Sequence, residues 1–444
     1  MDPASDVDRL SYEIFSILES KFLFGYDDPP KPKPLILSAS AGTRPPPANG
    51  PFGRVRILSI DGVGLPADAL LAAAALARLE SSLRRRSGDP SARVADFFDV
   101  AAGSGAGGVL AAMLFTRGPD GRPLFAADEA LRLVASWSGR SSTSRSFASQ
   151  RRSAVGWLLR RRPGRLFRRV FGDATLRDTV KPVLIPCYDL ATGAAFLFSR
   201  ADAVEADGYD FRIREVCAAT CADPAAAVEM KSADGRTHIA AVGGGVAMGN
   251  PTAAAITHVL NNKQEFPFAT GVDDLMVLSL GNSDTSIESA KYRRKRQVPS
   301  ASEIVRIAGE GAADMVDQAV AMAFGHNRTN NYVRIQANRF GSGNLIPKTS
   351  TVNELISSLE EKLSHKNVES MLFRGKKISE QTNSEKLEWV AGELIKEEER
   401  RKKSFIPIVV LKQVGASRSS STLSSVVTAT TASASTRTST SPSL

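Results

Sequence analysis

Three glycine clusters carry the chemistry this chain can offer, and each directly follows a run that reads as a β-strand. The first, Ser59-Ile60-Asp61-Gly62-Val63-Gly64, comes after VRIL. The second, Gly103-Ser104-Gly105-Ala106-Gly107-Gly108, comes after FFDVAA, and the third, Val242-Gly243-Gly244-Gly245-Val246, after HIAA. Open α/β sheets bind ligands where their strands end, so the three turns are candidates for one common site. The competing reading is three tight turns in which glycine supplies a left-handed backbone. Gly103, Gly105 and Gly108 also satisfy GxGxxG between a strand and a helix, the context of a dinucleotide fingerprint. That fingerprint needs an acid about 20 residues on, at the end of the next strand, to hold a ribose. Here the stretch is TRGPDGRPLFAADEALR, a loop entering a helix, so the nucleotide reading lacks its second support.

Metal and redox chemistry find little support in the composition. The three cysteines, Cys187, Cys217 and Cys221, have no metal-ligand spacing. Their odd number in a long chain fits a reducing compartment and small buried side chains. His238, His258, His326 and His365 are scattered, with no HxxxH pair and no cysteine pair beside them, so neither a structural metal nor a cofactor is expected. No run of about 18 apolar residues exists. The N-terminus, MDPASDVDRLSYEIF, puts four acids where a signal peptide needs positive charge. A cytoplasmic protein, peripheral to membranes, is the expectation.

The net charge of +10 is concentrated between Arg151 and Val170, where eight arginines occur without an acid. They alternate with Trp157, Leu158, Leu159, Leu166, Phe167 and Val170. A helix or hairpin there would place apolar groups beneath guanidinium groups, a pattern suited to an anionic lipid surface. Arg160, Arg161, Arg162, Arg165, Arg168, Arg169 and Trp157 are the candidate membrane contacts. A solvated basic loop whose apolar residues dock on the domain is the plainer alternative. No motif that reads nucleic-acid bases accompanies the charge, so nucleic acid is not an expected partner.

The elements that must position the glycine clusters alternate strand and helix. VRILSI, FFDVAA, KPVLIPCYDL, AAFLFSR, HIAAVGGG and LMVLSLGN read as strands. Helices are expected near Ala67 to Leu83, from Gly107, over IREVCAAT and from Pro251. Such alternation predicts a layered α/β sheet. Residues 1–52 comprise an N-terminal helix, LSYEIFSILESKF, and a proline-rich linker; 53–340 form the main domain, with an arginine-rich insertion at 139–172. A mostly helical extension spans 341–412, and the Ser/Thr-rich 413–444 lacks the apolar residues needed to order itself.

In order and spacing these segments resemble the patatins and patatin-like phospholipases. RILSIDGVGLPADAL is similar to the family's DGGGxRG oxyanion loop, FFDVAAGSGAGGVLAAML to its GxSxG nucleophile elbow, and AAVGGGVAMGNPTAAAITHV to its DGG/DGA motif, which carries the dyad aspartate. LIPCYDLATGAAFLF, REVCAATCADP and LMVLSLGN also resemble family sequence, so the likeness runs from about Arg54 to Arg339. With GxGxG at the elbow, the chain most resembles the plant group III patatin-related phospholipase A proteins. The resemblance implies a three-layer α/β fold with a central, mostly parallel sheet, related to the cytosolic phospholipase A2 catalytic domain. It further implies lipid acyl hydrolysis on phospholipids and galactolipids.

The departures concern the reacting groups themselves. By the resemblance, Gly105 stands at the nucleophile position and Gly243 at the dyad aspartate position, and glycine offers neither nucleophile nor base. Gly62, Val63 and Gly64 align with the oxyanion loop; Val63 replaces a glycine, and Pro66 lacks an N–H. Ser104 and Asp61 are the possible substitutes. Such a site is expected to hydrolyse weakly or by a non-standard route, and the alternative is an inactive lipid-binding pseudoenzyme acting at membranes.

Overall fold

The computed structural model describes residues 53–62, 66–146, 164–223, 226–281, 301–336, 351–371 and 375–412. The expected N-terminal helix and linker, Val63, Gly64, Trp157, Arg160, Arg161, Arg162 and the Ser/Thr-rich tail lie outside these residues.

At the centre is a mixed, mostly parallel sheet. β1 (Val55–Ile60) lies between β2 (Val100–Gly103) and β7 (Leu275–Leu280), parallel to both. β3 (Val183–Asp189) continues the parallel set beyond β2, and β8 (Tyr332–Ile335) beyond β7. β1 is buried along its whole length. It therefore reads as a run of Val, Ile and Leu broken only by the buried Arg56 and Ser59 rather than as a strict alternation. Its side chains still divide by parity: Val55 and Ile57 face one core cluster, Leu58 and Ile60 the other. Helices cover both faces, giving three layers.

Ten helices are used below. α1 (Leu70–Ser87), α2 (Ala106–Phe115), α3 (Ala127–Ser146), α4 (Gly164–Phe171) and α5 (Ile213–Thr220) precede the third glycine cluster; α6 (Gly244–Met248), α7 (Thr252–Asn261), α8 (Ala301–Phe324), α9 (Val352–Ser364) and α10 (Asn383–Lys403) follow it. The larger cluster gathers side chains of α1 to α5, α9 and α10, and the smaller one those of α7 and α8.

The antiparallel strands are what bring the third cluster to the site. β4 (Ala194–Ser199) pairs along one edge of β3, from Leu184 to Asp189. On the other edge β2 pairs only with Val183 and Leu184, and β6 (His238–Val242) pairs with Tyr188 and Asp189. β6 therefore occupies the edge that β2 vacates, and it runs back toward the end of β2. Sequence alone suggests carboxyl ends of parallel strands for all three turns. The third turn instead leaves an antiparallel strand that meets the others end to end, with β5 (Val228–Lys231) paired outside it.

Residues 351–412 are integral to this unit. They include a hairpin, β9 (Lys366–Met371) and β10 (Gly375–Thr382), that helical periodicity did not suggest. α10 opens with a Thr382/Glu385 capping box and buries Leu387, Val390, Ala391 and Leu394 in the main core. Its buried Glu397 accepts the Arg54 backbone N–H at 2.8 Å. Arg401 donates to Asp99 at 2.6 Å, and Arg56 closes on the same carboxylate. Burial opposes ionisation of Asp99, but the two guanidinium groups win and hold its carboxyl well below the usual range.

Candidate active site at the glycine corner

β1, β2 and β7 end in register, with Ile60 beside both Gly103 and Leu280. The first two glycine turns therefore leave adjacent strand ends. After β2 the chain turns through Ser104 and Gly105 into α2. Gly105 has φ 53° and ψ −126°. That conformation is nearly reserved for glycine and is strained for a side-chain-bearing residue. The strand-to-helix turn thus holds a sharp backbone at position 105 with no side chain on it. Close approach explains a second glycine: a Cβ on Gly107 would sit 2.5 Å from the Ile60 carbonyl oxygen and 2.6 Å from that of Asp61.

Thr220, at the end of α5, joins the second and third clusters. Its Oγ1 accepts the Gly105 backbone N–H at 2.9 Å. A Cβ on Gly243 would point toward the carbonyl oxygens of Ala222, at 2.7 Å, and Thr220, at 3.5 Å. A Cβ on Gly244 would lie 3.1 Å from Ser104 Oγ. The positions matched to nucleophile and aspartate therefore meet across one threonine. Thr220 lies in the REVCAATCADP stretch, whose likeness to the family was visible in sequence, but nothing there marked which residue would touch the elbow.

The first cluster meets the same corner. A Cβ on Gly62 would collide with the Ser104 carbonyl oxygen and lie 2.9 Å from the Gly107 nitrogen. Of the three oxyanion-loop candidates, Gly62 already donates its N–H to the Gly249 carbonyl at 3.2 Å, so in this conformation that donor is engaged. The helix start that faces Gly62 belongs to α2, whose first N–H groups have no carbonyl four residues back within the helix.

Neither substitute candidate sits as an ordinary nucleophile or base would. Ser104 is fully buried, and its Oγ has no hydrogen-bond partner among the described residues. Asp61 is buried and takes a 2.6 Å charged hydrogen bond from Arg334 on Oδ2, while its Oδ1 has no partner among the described residues. Burial pushes the Asp61 carboxyl up, and Arg334 offsets only part of this. Arg334 would be lowered by burial, but the Asp61 carboxylate more than compensates and raises it. Arg334 also donates to Ser279 Oγ at 2.7 Å. Thr252 Oγ1 lies 3.0 Å from Ser279 Oγ and 2.8 Å from Ser59 Oγ, and it donates to Asn250 Oδ1 at 2.6 Å. Asp61 thus anchors a buried polar network beneath β1, β7 and β8. Sequence reasoning missed Arg334, because a lone arginine in a short strand, YVRI, ordinarily reads as solvent-facing.

Of the membrane candidates, Arg165, Arg168 and Arg169 are exposed on α4. The apolar residues between them turn inward. Phe167 and Phe171 are buried, Leu166 and Val170 pack on the core, and Phe167 meets Trp137 edge to face. Over this helix the arrangement is that of docked apolar groups beneath solvated arginines.

Comparison with known proteins agrees with the motif order. The patatin-like phospholipase family profile matches residues 64–256. The chain is 55% identical to Patatin-like protein 3 of Oryza sativa, covering 89% of this chain and 92% of that protein. It is 51% identical to Patatin-like protein 7 of Arabidopsis thaliana, covering 93% and 86%. It is 40% identical to a protein named Probable inactive patatin-like protein 9 of Arabidopsis thaliana, covering 88% and 93%. On these likenesses the chain belongs to the patatin-like phospholipase family.

Proposed function

We propose that this protein is a slow lipid acyl hydrolase acting on phospholipid and galactolipid esters, with water attacking the acyl group directly. The observation that carries this reading is the retained elbow: Gly105 keeps the strained φ/ψ at the entry to α2, so the oriented backbone persists while the nucleophile does not. Without a serine at 105 there is no acyl-enzyme, and the ester cleaves in one displacement to fatty acid and lysolipid or deacylated galactolipid. A site that keeps its binding and backbone electrostatics but loses its reacting side chains still retains about 10³ to 10⁴ over water.

A second reading, a lipid-binding pseudoenzyme, is favoured by the burial of Ser104 and by the engagement of Asp61 with Arg334. Turnover on phosphatidylcholine and monogalactosyldiacylglycerol vesicles separates the two. Low wild-type turnover that survives Ser104→Ala supports direct attack by water. Activity that vanishes in Ser104→Ala makes Ser104 the nucleophile, and binding without any turnover selects the pseudoenzyme.

A further inference from the structure

α4 carries a stripe of like charge on its outer side. Arg165, Arg168 and Arg169 are exposed, and their i, i+3, i+4 spacing makes them neighbours on one face, with Cβ atoms about 5–6 Å apart. The opposite face is docked: Phe167 and Phe171 are buried in the core, and Trp137 meets Phe167 edge to face. The guanidinium groups are therefore held outward. Other helices of this chain place an acid four residues before an exposed or half-buried arginine, Glu80 before Arg84 on α1 and Asp128 before Arg132 on α3. α4, GRLFRRVF, has no acid, and no described carboxylate forms an ion pair with its three arginines. Like charges at this spacing destabilise the helix that carries them, and an anion lying along the stripe relieves that repulsion.

α5 packs beside α4 and widens the patch. Arg214 donates to the Gly172 carbonyl at 2.7 Å, just beyond α4, and pairs with Asp173, while the half-exposed Arg212 pairs with Glu215 at 3.4 Å. Asp173 is 87% exposed. The hydrogen bond from Arg214, then the charges of Arg214, Arg212 and Arg168, hold its carboxyl below the ordinary value. Arginines of two helices thus already converge on one oxyanion. The charged residues of 164–173 and 212–215 are five arginines, two acids and no lysine. Arginine presents a planar fork that matches phosphate or carboxylate oxygens two at a time, where lysine is a point charge.

We infer that the patch formed by α4 and the start of α5 binds the phosphate groups of anionic phospholipids at a bilayer surface. The inference rests on the reading of the substrate as a membrane lipid. The forks are spread along α4 and onto a second helix, so they face several phosphates at once, an array that a bilayer presents and free phosphate does not. With the apolar side of α4 docked on the core, the contact is made by charge and hydrogen bonds at headgroup level, and salt weakens it. Nucleic acid also offers phosphates, but no aromatic or amide side chain is exposed among these residues to stack on or read a base. From Ile213 to Thr220, which holds the Gly105 N–H, α5 rises about 11 Å. The phosphate patch and the glycine corner are the two ends of one short helix.

The test is cosedimentation of the full chain with phosphatidylcholine vesicles, alone or with equal fractions of phosphatidic acid or phosphatidylserine. Wild type is expected to bind both anionic vesicles, phosphatidic acid more tightly because a phosphate monoester carries more charge, and to be released by salt. Arg165→Gln, Arg168→Gln and Arg169→Gln together should weaken binding about a hundredfold at low salt and leave the unfolding midpoint unchanged. Asp173→Asn, which removes the internal competitor, should tighten it. Arg78→Gln, Arg117→Gln and Arg236→Gln make the same change of charge at exposed sites elsewhere, and should retain most of the binding. Wild-type binding by the α4 variant overturns the inference, as does an equal loss in the Arg78, Arg117 and Arg236 variant. It is also overturned by a wild type that binds no anionic vesicle, or by release with inorganic phosphate beyond that given by chloride of equal ionic strength, which makes free phosphate the ligand. Oligonucleotide binding that the α4 variant loses while vesicle binding persists reassigns the patch to nucleic acid. Turnover of a soluble short-chain ester, measured in parallel, keeps the two readings apart: vesicle binding without ester turnover defeats the hydrolase reading and supports the phosphate site, and ester turnover without vesicle binding does the reverse.

Discussion

The backbone N–H of Gly105 donates to Thr220 Oγ1 at 2.9 Å, inside a corner where both residues are buried. This bond fixes the elbow from the opposite side of the site, because Thr220 belongs to α5 and Gly105 to the β2–α2 turn. Thr220→Val keeps the side-chain shape but leaves a buried donor unpaired, at a cost of about 1–3 kcal/mol. Thr220→Ser, which keeps the acceptor, should lose less. Urea unfolding of the three proteins decides the matter, and equal stability of Thr220→Val and wild type would mean that the hydroxyl does not hold the elbow.

Acid should loosen the contacts that α10 makes with the sheet through Asp99 and with α1 through Glu388. Asp99 is held low by Arg56 and Arg401, and Glu388 is lowered to about 2 by Ser82, Arg86 and Arg85 against the opposing effect of burial. A carboxylate depressed in the folded state stabilises fully above its unfolded value and loses that contribution as pH falls through the folded one. For Glu388 the window runs from 4.5 down to about 2, and for Asp99 the loss extends lower still. Melting temperature should therefore fall with pH across this range. Asp99→Asn should flatten the fall and cost about 3–5 kcal/mol at neutral pH, because two buried guanidinium groups lose their counter-charge. A variant with an unchanged pH profile would remove Asp99 from the account.

Removing Arg334 should act on stability before chemistry. Arg334→Met leaves the Asp61 carboxylate buried and alone, a loss of about 3–5 kcal/mol. Asp61→Asn combined with Arg334→Met should recover part of that loss, since removing both partners takes the uncompensated charge away. A double variant no more stable than Arg334→Met, by urea titration, would show that the pair is not the coupling unit.

The contrast between what was legible and what was not follows chain distance. VRILSI, LMVLSLGN and the three glycine clusters were readable because each is a local pattern, an apolar run closed by a turn residue. β8, with only four residues, and the β9–β10 hairpin, with its exposed, lysine-bearing strand, carried no comparable period. The Asp61–Arg334 pair joins residues 273 apart in sequence, and the Gly105–Thr220 bond joins residues 115 apart. Neither leaves a trace in local spacing. The edge shared by β2 and β6 was equally hidden, because register along β3 decides it rather than any residue type.

The two glycines at the heart of the corner predict their own reversal. Gly105→Ser together with Gly243→Asp should raise acyl hydrolysis sharply, whereas either change alone should do little. A serine without its base stays protonated, and a base without a serine has only water to activate, so the effects should be strongly non-additive. The backbone sets the cost of each change. Serine at φ 53° carries about 1–3 kcal/mol of strain. Gly243 has an ordinary φ of −52°, but its new Cβ would begin 2.7 Å from the Ala222 carbonyl oxygen, so that loop must give slightly. Both singles should therefore melt lower than wild type. The engaged Gly62 N–H and the missing N–H of Pro66 cap the gain, since one lost oxyanion donor costs about 10² to 10³ in turnover. Short-chain ester and phospholipid hydrolysis would be measured for wild type, both singles, the double and the double with Ser104→Ala. Gain confined to the double and insensitive to Ser104 would establish 105 and 243 as the dyad positions. A stably folded double no faster than wild type would mean that the corner has lost more than two side chains.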